Sequence, residues 1–187
     1  AKTTGDVASA NVTSITGTAE EVQAALDSTN LVSLDAVDVT ISDDGAVDAS
    51  VLVALAAATT GVVTALDLVS ISGAVSQFST LFSNGGTELS PVYRVVAGTG
   101  GESDTIAIVT DTTLVTSTVF TALDGFDGPV DISAATTLTG SAALVEEILI
   151  TANATETMVT YNGSLGVTID DDDVTAVDAT TLSAVGG

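Results

Sequence analysis

The sequence contains no cysteine and no histidine, and its only basic side chains are those of Lys2 and Arg94. Without these residue types, the usual zinc and haem ligand sets, a cysteine nucleophile and disulfide bonds are excluded. Aromatic residues make up only 3% of the chain, so the aromatic platforms that sugar-binding sites use are scarce. The sequence offers no obvious general base, oxyanion clamp or phosphate cradle, and we therefore expect no enzymatic activity.

Positive charge is nearly absent from the sequence. The 25 acidic residues against two basic ones give a formal net charge of −23. Such a surface repels nucleic-acid phosphates and anionic lipids, so we expect neither as a partner. The longest wholly apolar run covers the eight residues 51–58, which is too short for a membrane span, and we predict no membrane insertion.

Apolar residues nevertheless account for 45% of the 187 residues, which is enough for a folded core built mainly of Val, Leu, Ile and Ala. A segment bounded by glycines with a spacing of twelve residues recurs three times, at 5–17, 61–73 and 128–140. We interpret 1–187 as a single repeat domain. Its predicted repeats are 6–61, 62–128, with insertions near 83–104, and 129–187.

A short helix is predicted after the last glycine of each recurring segment. Thr18 and Glu21 have the spacing of a capping box, and Ser141 is the corresponding N-cap of the third copy. Apolar pairs four residues apart mark the buried face of these helices: Val22 with Leu26, Phe78 with Phe82, and Val145 with Leu149.

A second strand and a second helix complete each predicted repeat. Alternation of apolar and polar residues predicts a strand at 36–43, with counterparts at 105–111 and 166–171. The second helices are predicted over 46–55, 114–123 and 176–185. The insertion carries an additional predicted strand at 91–96, and Asn162–Gly163 predicts a hairpin turn.

Short alternating strands and helices favour an α/β fold with parallel strands and right-handed crossovers. We predict a right-handed solenoid of about six short βα coils, each of about 28 residues, with one parallel sheet. A β-sandwich is the alternative, because Thr and Val are abundant and the helices are short. In the solenoid, the strands would turn six side chains towards the helices: Val39, Ile41, Ile106, Ile108, Val167 and Ile169.

Three segments, 12–22, 39–45 and 58–65, carry a resemblance to a known class of repeats. They resemble the tandem acidic, Val/Thr/Ala-rich repeats of very large secreted surface proteins of marine bacteria, including cyanobacteria. Similar repeats occur in some virion proteins of their phages. The resemblance implies an extracellular or cell-surface location, a structural or adhesive role and often calcium. It implies no catalytic residues.

The densest acidic cluster is the candidate metal site. Asp170, Asp171, Asp172 and Asp173 offer carboxylate oxygens, the ligands that Ca²⁺ prefers. The alternative interpretation is a solvated loop whose acids stabilise the N-terminus of the following helix. Asp43, Asp44 and Asp111 occupy equivalent corners in the other repeats.

These observations predict a non-enzymatic structural repeat segment of an extracellular filament, surface layer or matrix. The alternatives are a calcium-dependent adhesive or ligand-binding module that uses the insertions, and a phage virion appendage or decoration protein. We expect the partners to be copies of the chain or adjoining repeats, arranged head to tail. Residues 176–187 begin like 46–57, and a continuation like 58–61 is found again at 1–5.

Overall fold

The computed structural model describes residues 7–8, 11–65, 68–82, 105–123, 126, 128–151 and 159–170. The helices are α1 (Ala19–Leu26), α2 (Ala49–Ala58), α3 (Val75–Phe82), α4 (Thr116–Leu123) and α5 (Ala142–Glu146), and α5 continues as a π-helix over Glu147–Thr151. The strands are β1 (Val7–Ala8), β2 (Ser14–Gly17), β3 (Leu31–Val32), β4 (Asp38–Ile41), β5 (Ala46–Asp48), β6 (Val63–Ala65), β7 (Ser70–Gly73), β8 (Ile106–Val109), β9 (Thr113–Val115), β10 (Val130–Asp131), β11 (Thr137–Gly140), β12 (Val159–Thr160) and β13 (Gly166–Ile169).

The described strands form four sheets rather than the single predicted one, and every pair among them is parallel. Their orders are β1-β3, β2-β4-β6, β12-β10-β8-β7-β5 and β13-β11-β9. Parallel strands need crossover connections, and the five helices lie in those connections. The predicted α/β class with parallel strands is confirmed, whereas a β-sandwich would be built from antiparallel strands.

Most of the described strand pairs join segments that lie a constant distance apart along the chain. The pairs Ser14↔Asp38, Val39↔Val63 and Thr113↔Thr137 each join residues 24 positions apart. Longer steps occur at Ser70↔Ile106, across the insertion, and at Thr137↔Gly166. We use the word unit for each stretch of chain between one strand and its partner in the next layer.

Helices do not follow the same spacing as strands. The first three begin at Ala19, Ala49 and Val75, and these starts are farther apart than the paired residues of the regular layers. The coil length predicted from the sequence therefore describes the helix starts, while the regular strands repeat at a shorter step. α1 and α2 follow strands of different sheets, β2 and β5, whereas α2 and α3 follow β5 and β7, which pair with each other.

Side-chain caps determine where several helices begin. Thr18 and Glu21 form the predicted capping box of α1, and the Ser141 hydroxyl accepts a hydrogen bond from the Leu144 N–H. Asp48 caps α2, which begins at residue 49 rather than 46. Residues 46–48 are strand because Val47 is buried between the exposed Ala46 and Asp48, the alternation of a sheet face.

The second predicted helix of the middle repeat is corrected in the same way, because residues 113–115 form β9 and α4 begins at Thr116. The helix predicted at 176–185 lies outside the described residues, as do the insertion 83–104 and the strand predicted at 91–96.

The predicted apolar stripe of the helices is largely buried. Val22, Phe78, Val145 and Leu149 lie in the core, and Leu26 and Phe82 are half-buried against it. Phe78 stacks on Phe82, with ring centroids 5.8 Å apart. Phe126 also packs on Phe82, and these aromatic side chains are the bulkiest part of a mainly aliphatic core.

The strand residues predicted to face the helices behave differently in each repeat. Val39 and Ile41 are buried as predicted, whereas Val167 and Ile169 are half-buried. The prediction for Ile106 and Ile108 is wrong: both are half-buried, and Ala107 and Val109 are fully buried. The alignment of Ala107 with the buried Ile71 of β7 places Ala107 and Val109 on the core face.

The predicted hairpin at Asn162–Gly163 is also wrong. A turn is present, since the Leu165 N–H donates to the Asn162 carbonyl at 2.9 Å. However, β12 pairs with β10 and β13 pairs with β11, each in parallel and in different sheets. The turn is therefore a corner between two sheets, and Asn-Gly at this position serves the sharp change of direction.

Candidate functional site

Asp43 and Asp111, at corners equivalent to the predicted calcium site, each cap a helix in the preceding unit. The N–H of Ala19, at the start of α1, donates to Asp43 Oδ2 at 2.7 Å. The N–H of Val75, at the start of α3, donates to Asp111 Oδ2 at the same distance. The carboxylate satisfies an otherwise unpaired backbone donor and faces the positive end of the helix dipole. These acids therefore join consecutive units.

The third corner, at Asp170, shows the same backbone geometry. The N–H groups of Ser42, Thr110 and Asp170 each donate at 2.9 Å to the glycine that ends the preceding paired strand, namely Gly17, Gly73 and Gly140. Asp170 is exposed and corresponds to Ser42 and Thr110. Asp171, Asp172 and Asp173 lie outside the described residues. In the part of the chain that the structure describes, no group of three or more acidic side chains could hold a metal ion. The calcium site at 170–173 stays a prediction.

Replacing Asp43 by alanine tests the capping contact between units. We expect the free energy of unfolding to fall by about 0.5–2 kcal/mol, because the Ala19 N–H loses its acceptor and the helix loses a favourable charge. The neighbouring Asp44 is exposed and serves as the matched control. Urea unfolding of both variants gives the comparison. Equal losses for Asp43→Ala and Asp44→Ala would contradict the capping role.

Threonine hydroxyls form a second set of contacts between units. Thr59 Oγ1 donates to the Val37 carbonyl at 2.7 Å, and Thr60 Oγ1 donates to the Asp35 carbonyl at 2.9 Å. Thr105 bonds the Leu68 carbonyl in the same manner, at 2.7 Å. Thr136 bonds the Thr112 carbonyl at 3.0 Å. In each case a threonine at the entry to a unit satisfies a carbonyl of the preceding one, a contact that an alanine could not make.

Glycine allows the backbones of two units to meet at these corners. A methyl group on Gly61 would overlap the carbonyl oxygen of Val37, and one on Gly128 would overlap that of Thr105. The Gly61 N–H also donates to Thr59 Oγ1 at 3.0 Å. The segment 59–61 is thus a docking element for the preceding unit, and we call it the Thr-Thr-Gly corner.

Sequence reasoning identifies the recurring glycines but assigns no role to the threonines before them. The available signal is the repetition of Thr-Thr-Gly at 3–5 and 59–61. Its meaning depends on which carbonyls lie opposite, and this follows only from the register between layers. What the arrangement can do chemically is bind one repeat unit to the next.

No protein-family model, curated protein or solved structure matches the chain. None of the helices in the described ranges is long and apolar enough to cross a membrane.

Proposed function

We propose that the chain is a non-enzymatic structural repeat segment of an extracellular assembly such as a filament, surface layer or matrix. In this proposal it is a right-handed α/β solenoid of about six coils that joins copies of itself or adjoining repeats head to tail. The observation that carries the proposal is that side chains at the corners form hydrogen bonds to the preceding unit. The acidic and hydroxyl side chains at Asp43, Asp111, Thr59 and Thr60 bind the preceding unit.

Such an arrangement favours extension. When each repeat contacts only its neighbours, stability depends on intrinsic unit stability plus the interfaces between units. A stack of this kind presents strand edges at its ends, which pair readily with another chain. A contact between two different surfaces that does not close into a ring builds a fibre.

The acidic composition favours an environment rich in cations, in which the negative charges are screened. With a net charge of −23, self-repulsion opposes the compact state at low ionic strength, and added salt screens it. A surface of this sign also disfavours nucleic acid and anionic membranes as partners.

We expect the melting temperature to rise with salt, and to rise further with millimolar Ca²⁺ than with Mg²⁺ at matched ionic strength if Asp170–Asp173 bind calcium. The reason is that Ca²⁺ accepts more carboxylate ligands in flexible geometry, whereas Mg²⁺ retains its water. Thermal unfolding in the two salts provides the measurement. Identical curves would reduce the ion effect to charge screening.

Sedimentation and electron microscopy test the assembly itself. The isolated chain at physiological salt should form extended particles whose mass increases with concentration. The native source should contain the chain in a filament, layer or matrix, or in a longer array of the same repeats. A chain that is monomeric at all concentrations, from a source without such an assembly, would contradict the proposed function.

A further inference from the structure

The last described strand, β13, resembles the internal strand β4 in its pairing with the preceding strand and in the turn that leads into it. β13 pairs with β11 across a helix as β4 pairs with β2. The corner before each strand contains the same turn: the Leu165 N–H donates to the Asn162 carbonyl, and the Val37 N–H donates to that of Leu34. Residues 165–169 are therefore structurally equivalent to 37–41.

The two strands differ in what lies on their other side. In the sheet, β4 has β6 on the side opposite to β2, and its side chains Val39 and Ile41 are only 1% and 2% exposed. Of the strands that the structure describes, only β11 pairs with β13, and Val167 and Ile169 are half-buried. An apolar strand face of this composition is completed in β4 by the next layer.

The segment that covers β4 has a close counterpart near the N-terminus. The Thr-Thr-Gly corner at 59–61 binds the residues just before β4, and β4 itself pairs with β6, which begins at Val63. The same Thr-Thr-Gly sequence stands at 3–5, and Val7 follows it at the same spacing. Val7 is also the first residue of β1, which among the described strands pairs only with β3.

We propose that β13 of one copy pairs in parallel with β1 of a second copy, with Val167 opposite Val7 and Thr168 opposite Ala8. This register copies that of β4 with β6, in which Val39 lies opposite Val63. The interface rests on the proposed head-to-tail assembly and specifies its register. It is an addition of a strand to a sheet edge, in which backbone hydrogen bonds supply the contact.

The proposed junction between β13 and β1 of two copies lacks one contact that the internal pairing of β4 with β6 has. Within the chain, the Val62 N–H donates to Asp38 Oδ1 at 2.8 Å. The residue equivalent to Asp38 is Gly166, which has no carboxylate. The junction therefore has one hydrogen bond fewer than an internal contact. The second copy presents Asp6 at the position of Val62, so the number of acidic residues is the same. Association between two chains of charge −23 should consequently be weaker than contact within a chain and should strengthen with salt.

Cysteine pairing provides the test, because the chain has no thiol of its own. In-register neighbours on parallel strands are about 4.8 Å apart, which lies within the range that a disulfide spans. The double variant Thr168→Cys, Ala8→Cys of the 187-residue chain should give a ladder of disulfide-linked multimers on non-reducing gels after mild oxidation in salt. The ladder should disappear on reduction.

Two variants serve as controls. Thr40→Cys with Ala8→Cys places an equally exposed thiol on β4, whose neighbours belong to its own chain, and should give no ladder. Thr40→Cys with Thr64→Cys joins a known register pair and should give an internal disulfide only. This pair shows that oxidation is efficient in the sheet.

The outcomes separate this inference from the proposed function. A ladder specific to the pair at 168 and 8 supports the register. Concentration-dependent assembly by sedimentation without a ladder above that of the 40 and 8 control overturns this interface and leaves the structural role standing. A chain that stays monomeric, with no ladder at any concentration, overturns both.

Discussion

Replacing Phe78 by alanine is expected to lower the free energy of unfolding by about 3–5 kcal/mol. Phe78 is fully buried in α3 and stacks on Phe82, which in turn packs against Phe126 at a ring-centroid distance of 5.2 Å. The aliphatic side chains around it are too short to fill the cavity that its removal leaves. Since single domains are stable by about 5–15 kcal/mol in total, the variant should be near the limit of folding.

Val69→Ala is the control for this substitution, because Val69 is 55% exposed. Its loss of stability should be small. Urea unfolding at equilibrium measures both variants, and the slope of the transition shows whether the compactness of either state has changed. If Phe78→Ala costs no more than Val69→Ala, the aromatic stack does not stabilise the core.

Introducing a side chain at Gly61 should be nearly as damaging. Gly61→Val should cost about 3 kcal/mol, the upper end of what overpacking usually costs. The obstacle is the Val37 carbonyl, a backbone atom that also accepts the Thr59 hydroxyl and therefore cannot move aside easily. The substitution would separate two units at the Thr-Thr-Gly corner and weaken the β4–β6 pairing beyond it.

Gly45→Val is the matched control for the corner. A Cβ atom at Gly45 would have no neighbour within 4 Å. Hydrogen exchange of the β6 amides, compared between the two variants, should show faster opening in Gly61→Val only. Unchanged protection of β6 in Gly61→Val would mean that the close approach at this corner tolerates a side chain.

Local features of the fold are the most accessible from the sequence. The capping box at Thr18 and the N-cap at Ser141 depend on residues within one helical turn, and both predictions are confirmed. The buried helix positions Val22, Phe78 and Val145 follow from an equally local periodicity. Such signals are readable because the atoms that interact are close along the chain.

Features that depend on the neighbouring unit are not predictable in this way. The Ile-Ala-Ile-Val sequence of β8 is apolar throughout, so alternation cannot decide which side chains face the core, and the register with Ile71 of β7 decides it. The strands β5 and β9 have three residues each and lead directly into α2 and α4. Their sequences alone therefore do not distinguish them from the first residues of those helices. The roles of Asp43 and Thr59 depend on backbone groups of another unit, far away along the chain.

The unequal steps between layers have a consequence for correct folding. Strands related by the regular step share an apolar residue followed by threonine, as at Val39-Thr40 and Val63-Thr64. A strand displaced by one whole unit would therefore meet a partner of similar chemistry at these two positions. The step from Ser70 to Ile106 and that from Thr137 to Gly166 are longer, and a displaced chain could not satisfy them together with the regular ones. These irregular steps act against forms in which a strand is misaligned by one unit, and such misassembly is a characteristic error of repetitive proteins.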